Sequence, residues 1–317
     1  MTLIYILSLL TVTGVFIPET KSDYWLIRSQ DYIKTIYALL SLLLIGLFFA
    51  FSDFSIIDIV FIIVLAIAGA YCSTLILPFT PFWGKKIATA SNSTDRPLQF
   101  FIFNVLQDND RYKDTIKLIH DRNPDVVLLM ETCHKWDTAM NPLREVYKYE
   151  KKAIQENKYG MLFLCKIPFN EAIVNYVVSK DIPSLEVSFN INDKEIRVFC
   201  LHPRPPILGE ADYATNKDKE VVRTAKKIAQ DFKDTDCILM GDLNDVAWSK
   251  ASIIFKKLTG MQDPRVGRGF YATFPSYSPL KIPIDQVFCS PTLKLKEFEV
   301  LEDIGSDHLP IFISLQR

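Results

Sequence analysis

Residues 237–245 read CILMGDLND, and residues 305–311 read GSDHLPI. In the first stretch an apolar run short enough for a buried strand ends at Gly241 and passes directly into Asp242, Asn244 and Asp245. In the second, Asp307 and His308 stand immediately before another apolar run, LPIFISL. A carboxylate beside a buried strand is costly unless it is paired or bound to a cation, so both stretches mark a polar edge of a sheet. The pattern recurs upstream and between them. Asn104 lies in LQFFIFNVL (98–106), Glu131 follows PDVVLLM (124–130), His202 follows VFCL (198–201), and Asp285 sits in IDQVF, within the expected strand 284–289. Residues 111–122 have helical apolar spacing and lead into the strand at 126–130; Val221, Ala225, Ile228, Ala229 and Phe232 line a helix face before CILMG. Further strands are expected at 161–165, 185–191 and 196–201, some as antiparallel hairpins around turns such as Asn192-Asp193. Together these predict one α/β domain over residues 98–317, a mixed sheet system covered by helices.

The preceding 97 residues are different in kind. Before Lys85 the charges are Glu19, Lys21, Asp23, Arg28, Asp31, Lys34, Asp53 and Asp58, which leaves uncharged stretches at 1–18, 35–52 and 59–84. Each is near or above the roughly 18 residues that cross a bilayer as a helix, so three transmembrane helices are expected within residues 1–84. The first lacks the basic start and small-residue cleavage site of a signal peptide. Residues 85–97, small and polar, read as a linker; Asn92-Ser93-Thr94 within them has the form of a glycosylation sequon. Lys21, Arg28 and Lys34 lie between the first two spans and Lys85, Lys86 and Arg96 follow the third, whereas residues 53–58 carry no basic residue. That bias predicts a multi-pass membrane protein with its amino terminus outside and the α/β domain in the cytoplasm.

Basic and acidic residues balance over the chain, 36 against 37, so nothing in the bulk charge calls for a polyanionic partner. The six cysteines stand far apart without a C-x-x-C pair, which argues against a zinc knuckle or a disulfide framework. The oxygen-rich set gathered at the strand ends suits a hard ion, Mg²⁺ or Mn²⁺, better than zinc.

These motifs, in this order, resemble the endonuclease/exonuclease/phosphatase superfamily, the fold of DNase I, abasic-site endonucleases, neutral sphingomyelinases and inositol-polyphosphate 5-phosphatases. The matching words are FNV at Asn104, PDVVLLME at Glu131, YGMLFLCKIPF around Gly160, CLHP at His202, GDLND at 241–245, IDQVF at Asp285 and GSDHLPI at Asp307-His308. The hydrophobic spans, Trp248-Ser249 and the TFP triplet at 273–275 are similar to a bacterial membrane-anchored branch of it. The resemblance implies a two-sheet α/β sandwich of the DNase I type and a membrane-tethered phosphoesterase that hydrolyses a phosphodiester, of a nucleic acid or of a phospholipid or its headgroup, by metal-assisted attack of water. It implies Glu131 as the principal Mg²⁺ (or Mn²⁺) ligand, with Asn104 beside it and Asp307 near the same or a second ion. His308 would be the general base oriented by Asp285, Asp242 and Asn244 would orient nucleophile and phosphate, and His202 would donate to a phosphate oxygen or the leaving group. The partners so implied are the lipid bilayer and the phosphodiester substrate.

Any one of these words has an ordinary structural reading: GDLN is also an Asx turn and SDHLP a turn. Their joint occurrence tells against that, since the chain has four histidines and two stand where the family needs them. His120 and His134 are expected at the surface or partly buried, and Arg204, Arg223, Asn216, Lys158 and Arg268 are lesser candidates for substrate contact. The competing class is a catalytically silent scaffold that keeps the fold; it predicts loss of Glu131, Asp242, Asn244, Asp285 or His308, and all five are present.

Overall fold

A computed structural model describes residues 1–91, 96–206 and 210–317, so the Asn92 sequon lies outside the described residues. Among the described residues, eleven strands form two sheets. The strands are β1 Leu98–Asn104, β2 Val126–Met130, β3 Tyr149–Ala153, β4 Met161–Cys165, β5 Phe169–Asn175, β6 Ser184–Ile191, β7 Lys194–Cys200, β8 Asp236–Asp242, β9 Asp285–Cys289, β10 Lys294–Val300 and β11 Ile311–Gln316. The first sheet runs β10-β11-β1-β2-β4-β3 and the second β5-β6-β7-β8-β9. β1 and β2 are parallel, as are β7 and β8; the remaining neighbours are antiparallel. The fold is thus a two-sheet α/β sandwich.

The continuous apolar runs arise because the central strands are covered on both sides. Phe100, Ile102, Leu128 and Met130 of the first sheet meet Val187, Val198, Met240 and Val287 of the second in the shared core. Alternate residues Phe101, Phe103, Val127 and Leu129 turn outward under the helix α5 (Tyr112–Arg122), and Phe199 and Leu239 turn under α7 (Thr215–Asp231) and α8 (Lys250–Thr259). Helix α8 starts where Ser249 accepts a hydrogen bond from the Ser252 N–H and stops at Gly260, which takes the left-handed conformation (φ +72°) that closes a helix without a Cβ penalty.

Toward the amino terminus, α1 (Thr2–Phe16), α3 (Lys34–Phe51) and α4 (Ile56–Ile76) pack as an antiparallel trio, with the single turn α2 (Trp25–Arg28) between the first two. The helical stretches 2–19, 34–51 and 56–79 are candidate membrane spans by length and composition. The third begins three residues earlier than its uncharged stretch, because Ser55 and Asp58 cap it reciprocally and Asp58 also takes a 2.5 Å hydrogen bond from Tyr5 of α1. The anchor does not stand apart from the sandwich. Residues 17–33 and 77–90 are laid against it: Trp25 N bonds to Asp212 O, Ala214 N to Asp23 O, Gly267 N to Pro78 O, and Ala90 N to Leu295 O of β10. Ile87, in the stretch expected as a linker, is buried in the main core.

Candidate active site

The principal residues proposed from the sequence stand at or beside strand ends, and the two sheets bring those ends together. Asn104 ends β1, Glu131 follows β2, His202 follows β7, Asp242 ends β8, and Asp285 begins β9 directly opposite Asp242 in the antiparallel register. Asp307 and His308 precede β11. Asn104 ties the sheets at this edge: its Nδ2 donates to Glu131 Oε1 and to Asp242 Oδ2, 3.0 Å in each case. Its Oδ1 accepts the Leu106 N–H at 3.1 Å, so the amide oxygen faces the backbone and the amide nitrogen faces the carboxylates.

Asp242 Oδ2 is the hub. Besides Asn104 it lies 3.5 Å from His308 Nε2 and 3.6 Å from His202 Nε2, which supplies His202 with the carboxylate neighbour that sequence could not name. Among the described residues His202 Nδ1 finds no partner. His308 Nδ1 sits 2.7 Å from Asp285 Oδ2, and Thr273 Oγ1 donates to the same oxygen at 2.5 Å. Asp242, Asp285 and His308 bring one ligand atom each within 4.8 Å of one another. With Asp285 already engaged by both His308 and Thr273, the trio is better suited to moving a proton than to caging an ion.

The charges are mutually dependent. Burial alone would depress the His308 pKa, but the negative charges of Asp285 and Asp242 and the hydrogen bond to Asp285 overturn that and push it up to about 10. Burial would raise Asp285; the charge and hydrogen bond of His308, with the Thr273 hydroxyl, hold it below the ordinary carboxylate range. Asp242 is raised, burial outweighing the help of His308 and His202. Asp307 is also raised, by burial first and further by the charge of Glu131, against the pull of His308.

Backbone strain is concentrated here. Leu106, Glu131 and Asn244 all adopt left-handed conformations, φ +57°, +61° and +49°, a region that costs roughly 1–2 kcal/mol for a residue with a Cβ. The carboxylate of Glu131 is aimed by a turn whose next residue, Thr132, donates to Gly160 O. A Cβ on Gly160 would lie 1.9 Å from the Thr132 carbonyl oxygen, so only glycine allows that approach.

Glu131, His202, Asp242, Asn244, Asp307 and His308 open onto one cleft of about 340 Å³, whose wall also includes Tyr32, Tyr159, Phe274 and Ile284, the cation Lys158, and Glu210, which accepts from the Tyr159 hydroxyl. Asn104 and Asp285 stand behind the wall, reached through their hydrogen bonds. The lesser candidates divide. Arg204 is paired with Asp181 at 2.6 Å and lies over the Tyr159 ring; Arg223 donates to Val177 O; Asn216, His120 and His134 are exposed. Arg268 does not reach the cleft but holds residues 87–89 through Ile87 O and the Thr89 hydroxyl. Two contributors were missed. Thr273 is in the TFP triplet, a family word without an assigned role. Tyr32 belongs to the segment between the first two spans, where it donates from its hydroxyl to Asn244 O at 2.8 Å. Nothing in the local sequence ties it to residues more than two hundred positions later.

The endonuclease/exonuclease/phosphatase family model matches residues 99–308. The chain belongs to this family. Among solved structures the family member is similar to D. rerio TDP2 complexed with a single-strand DNA product, at 16% identity over 70% of this chain and 100% of that one, TM-score 0.59. It is similar to SmcL at 16% identity, 69% and 99% coverage and TM-score 0.56. A family protein from Leptotrichia buccalis gives 18% identity, 69% and 100% coverage and TM-score 0.55. At these identities the likeness is one of fold. No curated protein matches the sequence. Family membership supports hydrolysis of phosphate esters with a divalent metal, as is usual in the family.

Proposed function

We propose that this is a membrane-tethered, divalent-metal-dependent phosphodiesterase whose water nucleophile is activated at His308. The observation that carries the reading is the hub at Asp242 Oδ2, with two imidazoles at 3.5 and 3.6 Å, an amide at 3.0 Å, and the carboxylates of Glu131 and Asp307 among those opening onto the same cleft. The donor set fits a hard ion: Glu131 and Asp307 bear on each other electrostatically at a cleft where Lys158 is the single lysine among the described lining residues. Those two carboxylates would hold it, Asn104 fixing Glu131. When bound, Mg²⁺ or Mn²⁺ would neutralise a phosphate oxygen and favour the charge that grows there in the transition state.

The residues of the chain do the rest. Asp285 and Thr273 orient the His308 ring, and with Nε2 facing Asp242 the resting imidazolium can pass its proton to that carboxylate, which burial has made receptive. The neutral ring then accepts the proton of the attacking water. His202 Nε2, on the other side of Asp242, donates to a phosphate oxygen or to the leaving alkoxide. Asn244 is fixed by donating Nδ2 to Pro203 O at 3.0 Å and N–H to Asp242 Oδ1 at 2.9 Å, which holds the loop that borders the phosphate.

Three crossings would put the basic segment 17–33 and the catalytic domain on one side, which we read as the cytoplasm from the basic-residue bias. The test is hydrolysis of bis(p-nitrophenyl) phosphate by the full chain in detergent, with Mg²⁺ and with EDTA. Glu131→Gln should abolish turnover without changing thermal denaturation; metal-independent turnover, or a fully active Glu131→Gln, removes the proposal. An enzymatic reporter fused after Arg317 that works only outside the cytoplasm would reverse the orientation.

A further inference from the structure

The cleft is built partly from the membrane anchor. Tyr32, two residues before α3, forms part of its wall, and Phe274, Ile282 and Ile284, which also line it, belong with Tyr32 to one apolar cluster that includes Phe79 and Leu75 at the end of the third candidate span. Trp248, in the same cluster, donates its indole N–H to Asp31 O, while Lys250 reaches Pro18 O at the end of the first span. Behind the wall the docking is ionic. Arg28 faces Asp31 and Asp218, and Lys217 lies 2.5 Å from Asp245 Oδ2, an ion pair more than an aligned hydrogen bond. Among the described residues, the active site is therefore docked directly on the ends of the candidate spans.

Exposed apolar side chains flank the span ends and the loop that lines the cleft. Phe82, 94% exposed, and Trp83 follow the third span directly; Leu26 is in the short helix between the first two. Tyr277, 80% exposed, and Leu280, 66% exposed, are at the tip of the loop whose two stems, Phe274 and Ile282, pair with each other and line the cleft. Aromatic residues flanking a span settle at the membrane interface, and a loop rooted in the cluster that closes the spans is carried there with them. Nucleic acid asks for something else: a groove of several lysines or arginines tracking successive phosphates. Here the described cleft offers Lys158, and the nearby Arg204 is engaged by Asp181.

Resting on the phosphodiesterase reading above, we infer that the substrate is a phosphodiester carried by a membrane lipid, presented to the cleft from the bilayer surface on which the loop 274–282 rests. In the step itself the water oxygen bonds to phosphorus as one P–O ester bond breaks. The water proton goes to His308, the departing alkoxide takes a proton from the site, and the products are an alcohol and a phosphomonoester.

The test uses the full chain reconstituted with Mg²⁺ into vesicles of phosphatidylcholine, phosphatidylglycerol and phosphatidylinositol. Lipid products are read by mass spectrometry, with bis(p-nitrophenyl) phosphate and single-stranded DNA as soluble probes. The expected result is hydrolysis of vesicle lipid and of the soluble diester. The double variant Tyr277→Ser/Leu280→Ser should lose about tenfold or more on lipid, the order expected when large apolar side chains no longer leave water, while the soluble diester is unaffected. Turnover of the soluble diester and DNA with intact lipid would overturn the lipid assignment and leave the phosphodiesterase. No turnover of lipid, soluble diester or DNA would remove both. Equal losses on both substrates, or a change of oligomeric state in the double variant, would show that the loop serves folding or self-association, and would overturn the inference.

Discussion

Asp285→Asn keeps the volume and removes one charge, 2.7 Å from His308 Nδ1 and 2.5 Å from the Thr273 hydroxyl. Asp285 is the largest of the influences that raise His308, so without it the imidazole falls from about 10 toward its ordinary 6.5, and the ring loses the acceptor that fixes its tautomer. A positioned acid–base group is worth about 10²- to 10⁴-fold in rate, or about 3–5 kcal/mol of barrier; kcat on bis(p-nitrophenyl) phosphate should drop within that range while KM changes little. The stability effect has a defined sign. A raised His308 contributes stability that is fully present below its unfolded value of 6.5 and is lost as pH rises through about 10. The lowered Asp285 contributes stability present above 3.8 and lost as pH falls through its folded value. In metal-free buffer the wild-type melting temperature should therefore decline between about pH 6.5 and 10 through this pair, and the decline should flatten in Asp285→Asn. A variant turning over within threefold of wild type, or one with an unchanged melting curve across that interval, would refute the pairing.

Tyr32→Phe removes the hydrogen bond to Asn244 O, worth about 0.5–1.5 kcal/mol, so kcat should fall roughly two- to tenfold with the spans intact; an unchanged rate would mean the anchor merely abuts the site. Lys217→Met strands the buried carboxylate of Asp245, and a half-removed buried pair costs about 3–5 kcal/mol, which thermal denaturation of the reconstituted protein should register as a marked fall in melting temperature. Gly160→Ala places a Cβ on the Thr132 carbonyl and must displace the turn that aims Glu131; loss of most activity is expected, and wild-type turnover would show that the Glu131 turn tolerates the shift.

The sandwich was legible because its central strands are covered on both faces and so read as unbroken apolar runs, and because each run that feeds the site ends in a residue that apolar surroundings would not tolerate unpaired. That second regularity located Asn104, Glu131, His202, Asp242, Asp285 and His308 before any geometry was known. Edge strands gave no such signal: β3 (YEKKA) and β10 (KLKEFEV) put charged side chains in water, and their pairing is decided by neighbours distant in sequence. Helix α6 (His134–Ala139) is too short for periodicity to mark. The partner of His202 was equally hidden, since it depends on how two sheets converge at Asp242.

The basic residues of the first loop show how a single sequence feature can have two physical causes. Arg28 and Lys34 were counted as topology signals, yet both are buried: Arg28 faces Asp31 and Asp218, and Lys34 faces Asp31 and Glu19. Two of the six basic residues behind the orientation therefore also build the seat on which the α/β domain rests. Replacing them to invert the topology would disturb the docking as well, whereas Lys21, exposed and outside these pairs, isolates the charge effect. Adding basic residues to the opposite loop, 52–55, leaves the docking face untouched and changes only the bias. If such insertions reorient the chain without lowering its specific activity on bis(p-nitrophenyl) phosphate in detergent, the two causes are separable, and the docked segment is a fixture of the enzyme whichever side it occupies.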